Sequence, residues 1–165
     1  MKNTHKHTLI ILLLTIISFT TTAQKYKTAI GFRVGGQTNG LTVRHFTNSK
    51  TALEGILSVG HNATLITGLY EKFVPISGAS GLNWFYGIGG HIGFFREKGY
   101  YLYNKKRAVY YDDNSTVVGI DGIIGLDYKF RNAPINIGID IKPFMDFYGG
   151  ASLFGDGALN VRFIF

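Results

Sequence analysis

Few residues of this chain are equipped for chemistry. Beyond the first eight positions there are three histidines, His45, His61 and His91, and the chain has no cysteine. A lipid hydrolase or acyltransferase would need one of those histidines as a base beside a serine nucleophile, both reaching the same side of the backbone. Ser58 stands three residues before His61, but positions three apart on a strand point to opposite faces. His91 falls mid-strand with no serine beside it. The missing cysteine excludes disulfide staples, thiolate metal sites and thiol nucleophiles together. Runs such as Gly87-Ile88-Gly89-Gly90 lack the strand-turn-helix setting and the Lys-Ser/Thr ending of a phosphate loop, so close packing explains them better. Asn62-Ala63-Thr64 and Asn114-Ser115-Thr116 match the glycosylation sequon, a pattern too common to carry weight. No catalytic residue, cofactor or metal site is therefore expected.

Two sets of residues remain. The first is a row of charges, Arg33, Arg44, Glu54, His91, Asp121, Asp127, Lys129, Asp140, Lys142 and Arg162, each on the polar side of an alternating segment. If the apolar rows face outward, these residues form an interior polar network, and they must pair, because an unpaired buried charge costs several kcal/mol. The second is the segment 95–115, where Tyr100, Tyr101, Tyr103, Tyr110 and Tyr111 surround Lys105, Lys106 and Arg107. Tyrosines offer amphipathic contact area at modest entropic cost, which makes this segment the candidate surface-binding loop. Its alternative role is an aromatic girdle on an extended hairpin.

The elements that position both sets read as strands. From Thr28 to Phe165 eight segments alternate apolar with small or polar residues, and no stretch has helical periodicity. Ile135, Ile137, Ile139 and Ile141 share one face, against Asn136, Gly138, Asp140 and Lys142 on the other. Leu159, Val161, Phe163 and Phe165 repeat the pattern in the last strand, and Trp84, Tyr86, Ile88, Ile92 and Phe94 in the fifth. In the sixth only Ile123 breaks the rule. The fourth is the noisiest: Leu65, Leu69 and Phe73 share a face with Thr67 and Glu71, which would put a carboxylate on the apolar side.

Residues 1–23 have the three-part layout of a secretory signal: Lys2 and Lys6, an apolar run from Leu9 to Phe19, then small residues ending at Ala23. The run is too short for a helix that must cross a hydrocarbon core with about 20 residues. Cleavage is expected after Ala23, leaving residues 24–165 as one barrel domain. Without Lys2 and Lys6 the 17 basic residues fall to 15 against 10 acidic ones. That excess is scattered, so no nucleic acid partner is expected.

Alternation alone does not choose between a soluble and a membrane barrel. Export, an even strand count, aromatics near strand ends, a terminal Phe165 and a glycine-rich polar face favour the membrane. The connections at 47–50, 75–81 and 131–134 are short and read as periplasmic turns, while 95–115 and 147–156 are longer and read as outer loops.

The run from Gly81 to Phe94, the stretch Thr67-Gly68-Leu69-Tyr70-Glu71-Lys72, and Gly125-Leu126-Asp127-Tyr128-Lys129-Phe130 with Pro134, Lys142, Pro143 and Phe144 resemble small outer-membrane β-barrel proteins of Gram-negative bacteria, similar in architecture to the OmpA and OmpX type. The resemblance implies an all-β, eight-stranded, antiparallel up-and-down transmembrane barrel in the outer membrane. It carries no site residues. The expected partners of such a monomer are outer-membrane lipid, lipopolysaccharide and, during insertion, the barrel-assembly machinery. The expected role is non-enzymatic, structural or in surface interaction. Two alternatives stand beside it: a secreted or periplasmic soluble barrel binding an apolar ligand, and an outer-membrane lipid-modifying enzyme.

Overall fold

The computed structural model describes residues 27–60, 62–96, 100–104, 107–112, 114–148 and 151–165. The expected signal peptide with its cleavage point, and His61, lie outside the described residues. The strands are β1 (Thr28–Gly35), β2 (Asn39–Asn48), β3 (Thr51–Gly60), β4 (Ala63–Pro75), β5 (Leu82–Phe95), β6 (Tyr100–Asn104), β7 (Arg107–Tyr110), β8 (Thr116–Lys129), β9 (Ile135–Phe147) and β10 (Ala151–Ile164).

Eight of them close into a barrel in the order β1-β10-β9-β8-β5-β4-β3-β2, while β6 and β7 form a separate hairpin within the β5–β8 connection. Every pairing is antiparallel and follows the chain, and β1 closes the ring on β10 with Ile30 opposite Phe163. This is the up-and-down architecture that the resemblance implies, and no helix occurs among the described residues. Closure leaves no unpaired edge. The connections Gly36–Thr38, 96–115 and 148–150 emerge at one end, here the loop end. Ser49–Lys50, Ile76–Gly81 and Phe130–Pro134 emerge at the other, the turn end, together with Lys27 and Phe165.

The two faces are sorted in the reverse of a water-soluble barrel. Ile139 and Ile141 are 53% and 62% exposed, and Ile88 reaches 72%, whereas Arg33, Arg44 and Arg162 are at most 1% exposed. Strand four departs from expectation. Leu65, Thr67, Leu69, Glu71 and Phe73 are all buried inside, and Ile66, Tyr70 and Val74 form the outward row. The reason is that the lumen is not uniformly polar. Ala52, Ile56, Leu69, Phe73, Phe85 and Ile123 pack as one apolar cluster, and Ala63, Leu65, Phe95, Tyr111, Val117, Phe144 and Phe154 as another. Ile123, the one exception to alternation in its strand, belongs to the first.

Large inward side chains are matched by glycine across the ladder. His91 lies opposite Gly119 and Phe85 opposite Gly125. A Cβ on Gly119 would sit 2.3 Å from the His91 ring, and one on Gly125 2.7 Å from the Phe85 ring. Small residues thus make the room that eight strands otherwise deny to filled lumens. Pro143 lacks an amide hydrogen, and the β8–β9 ladder is interrupted opposite it at Gly122–Ile123 before resuming in register. The asparagines of the two sequons, Asn62 and Asn114, both adopt φ of 54° in tight connections, a conformation that asparagine tolerates better than most side chains.

The connection expected at 147–156 is shorter than the sequence reading. Phe147 and Ala151 are already paired, and Leu153 points out while Phe154 points in. Alternation continues through this segment, so the strands run past the point where glycines suggested a loop.

Candidate functional site

The interior network divides into three clusters. Arg44 stands at the centre of the first: its guanidinium meets Glu54 at 2.7 Å, Glu71 at 2.9 Å and Asp127 at 2.8 Å. Arg162 joins from β10, 2.6 Å from Glu54 and 3.9 Å from Asp127. Thr42 donates to Glu54, and Asn136 to Asp127. Two guanidinium groups therefore serve three carboxylates. Arg44 also lies over the rings of Phe73 and Phe85, 4.9 and 4.8 Å from their centroids, a cation–π contact that strengthens where water is excluded.

The second cluster sits toward the loop end. Arg33 bridges Asp140 at 2.7 Å and Asp156 at 2.8 Å, and Asp156 accepts further bonds from Thr38 and the Gln37 amide. Asn160 links the two clusters, donating to Asp140 at 2.6 Å and accepting from Arg162 at 3.1 Å.

His91 centres the third. Its Nδ1 is 2.7 Å from Asp121, which Lys142 also meets at 2.5 Å. Its Nε2 lies 3.0 Å from Asp146 as an ion-pair contact that is not aligned as a hydrogen bond. Asp146 accepts the phenol hydrogen of Tyr111 at 2.6 Å. The ring of Tyr111 stacks on Phe95 with centroids 4.2 Å apart, and Tyr148 packs against it. At the exposed rim of the loop end, the Tyr148 hydroxyl donates to Asp112 at 2.8 Å. That carboxylate holds the Tyr148 phenol above the ordinary tyrosine range, since ionising it would set two negative charges side by side.

Of the interior residues read from the sequence, Arg33, Glu54, His91, Asp121, Asp127, Asp140, Lys142 and Arg162 are buried, and the three clusters bring them together. Lys129 is half-buried at the turn-end mouth instead. There it lines an open cavity of about 540 Å³ with Lys27, Phe46, Asn83 and Asp127. Asp146 and Asp156 escaped the sequence reading because they fell beyond the assigned strand ends. Their parity was the available signal: Asp146 continues the row Asp140, Lys142, Phe144, and Asp156 the row of Ala158, Asn160 and Arg162. Glu71 was set on the wrong face, and its partner Arg44 explains why it is inside.

In the candidate surface loop, Tyr111 departs from expectation, because it is 2% exposed and plugs the loop end. The remaining loop residues divide by what is described. Tyr100, Tyr101 and Tyr103 belong to β6, and Arg107 and Tyr110 to β7, with Tyr100 opposite Tyr110. Their side chains lie outside the described residues, as do Lys105 and Lys106. Among the described residues no group of three or more histidine, aspartate or glutamate side chains is arranged to hold a metal ion. No known protein-family model and no curated protein matches the chain.

Proposed function

We propose that the chain spans the bacterial outer membrane as a closed barrel with an ionic plug, and that its role is to present the 96–115 arm at one face. It is a scaffold for surface interaction, not a channel or an enzyme. One observation carries this reading: in the eight barrel strands every Asp, Glu and Arg faces the lumen, and the large aliphatic rows face out around the whole circumference. A soluble monomer exposes its largest apolar patch over about 300–600 Å², and a full belt of half-exposed Ile, Leu, Val and Phe far exceeds that. Along β5 the outward row from Trp84 to Phe94, at about 3.3 Å per residue and a tilt near 40°, spans roughly 25 Å of hydrocarbon thickness.

Buried ion pairs alone do not choose a solvent, because charges must pair wherever water is excluded. The outward direction of the apolar face supports lipid. An apolar ligand inside a soluble barrel would need an apolar lumen through its middle, where this one holds Arg33, Arg44 and Arg162. The same plug argues against a conduit. Against catalysis, both nitrogens of the buried His91 face carboxylates, Asp121 at 2.7 Å and Asp146 at 3.0 Å, and not a serine nucleophile.

Export of the full chain and fractionation of the cells tests the proposal. Recovery in the outer membrane, an SDS mobility that changes on boiling, and no conductance in a planar bilayer are expected. Soluble recovery without a mobility change would overturn it.

A further inference from the structure

The exposed charges of the barrel are sorted by end. Lys27, Lys50, Lys72 and Arg131 are exposed, and Lys129 is half-buried at the turn-end mouth. The turn segments 46–51, 75–82 and 129–135 contain no Asp or Glu. The side-chain carboxylates toward this end, Glu71 and Asp127, are buried and held by Arg44. Among the described residues no ion pair to a carboxylate involves Lys27, Lys50, Lys72 or Arg131. The loop end is different, since its cations share the segment 96–115 with Glu97, Asp112 and Asp113.

The collar also has a level. Lys72, an outward-pointing strand cation, pairs across the ladder with Tyr86. Tyr86 stacks on Trp84 with centroids 5.1 Å apart, and Tyr128 meets Phe130 at 4.9 Å. Aromatics of this amphipathic kind settle at the boundary between hydrocarbon and headgroups. A lysine at the same height reaches the phosphate layer with its ammonium while its stem stays along the rings.

We propose that this collar of Lys27, Lys50, Lys72 and Arg131 binds the phosphate headgroups of anionic phospholipids in the leaflet at the turn end. The proposal rests on the membrane reading above and adds a partner to it. Four exposed cations with no exposed side-chain carboxylate in the turn segments make a net positive field around the rim, and such a field attracts anionic headgroups over a distance that salt shortens. Zwitterionic headgroups carry no net charge and gain far less.

The test uses the full chain folded into vesicles of phosphatidylcholine alone or with phosphatidylglycerol added. The lipid retained by the protein after gentle detergent extraction is measured by native mass spectrometry. Retention of phosphatidylglycerol several-fold above its bulk share is expected, falling toward the bulk share at high salt. Joint substitution of the collar by glutamine (K27Q, K50Q, K72Q and R131Q) should abolish the preference. Substitution of the loop-end pair R96Q and K98Q should leave it. Should the fourfold variant not fold, K50Q with R131Q, both in turns, is expected to lower the preference by itself. Retention at the bulk share, a salt-independent preference, or a preference lost only with the loop-end pair would each overturn the collar while leaving the membrane reading standing. A chain that inserts into neither vesicle and shows no heat-modifiable band would overturn both.

Discussion

The Arg44 and His91 clusters are built from the same kinds of group and hold different things together. Around Arg44 every partner belongs to the barrel wall: Glu54 on β3, Glu71 on β4, Asp127 on β8, with Arg162 on β10 reaching the same carboxylates. Strands far apart in the chain are thereby tied across the lumen. Around His91 the wall supplies Asp121 and Asp146, but the last member is Tyr111, from the connection that carries the β6–β7 hairpin. One cluster holds the closed ring in shape, and the other fastens the arm to the ring. The comparison teaches that one barrel interior divides its work by level.

The sharpest way to break the comparison is Arg44→Met. It leaves three carboxylates facing one another around the gap, with only Arg162 near, and breaking a buried pair in this way costs about 3–5 kcal/mol. Little heat-modifiable barrel should form, and what forms should unfold at lower urea. An unchanged urea midpoint would mean that the cluster does not hold the ring.

The aliphatic rows outside both clusters meet lipid on the proposed reading. Ile139→Arg places a charge in the middle of the outward row and should lower stability in vesicles by about 2–4 kcal/mol. Equal midpoints for the variant and the parent would count against the belt.

Tyr111→Phe addresses the other cluster alone. It removes a hydrogen bond to a carboxylate, about 1.5–3 kcal/mol, but it keeps the ring on Phe95. Faster protease cleavage within the arm, with the barrel's own urea midpoint preserved, is the expected result. A fall in the midpoint as large as that of Arg44→Met would erase the distinction between the clusters.

The smallest effect concerns the rim. The Tyr148–Asp112 bond raises the phenol's pKa, so whatever it contributes is present below the ordinary tyrosine pKa of about 10 and is lost as pH rises through the raised value. Ultraviolet titration should therefore show a late-ionising contribution from Tyr148 that returns to the ordinary range in Asp112→Asn. Identical titration curves would remove this second fastening.

Much of the fold was legible because β structure writes its faces at period two. The rows Ile135 to Ile141 and Leu159 to Phe165 face out as read, and Arg33, Asp121, Asp140 and Arg162 face in. Where both rows of a strand are partly apolar, parity loses its meaning. Leu65, Leu69 and Phe73 are as hydrophobic as any outward row, so nothing local in β4 says that they fill the lumen.

What the sequence by itself determined is the strand content, the main turns, and the separation of charged from apolar faces, since each follows from neighbours two residues apart or from a turn-forming cluster. Only the tertiary structure decided which charges meet. Arg44 and Asp127 are 83 positions apart, and Arg33 and Asp156 are 123 apart. Such pairs exist because the ring closes β1 on β10 and fixes the height of every strand against its neighbours. The role of Tyr111 was decided in the same way: a tyrosine in a polar loop reads as a surface residue until the apolar ring formed by Phe95, Phe144 and Phe154 gives it a place to be buried.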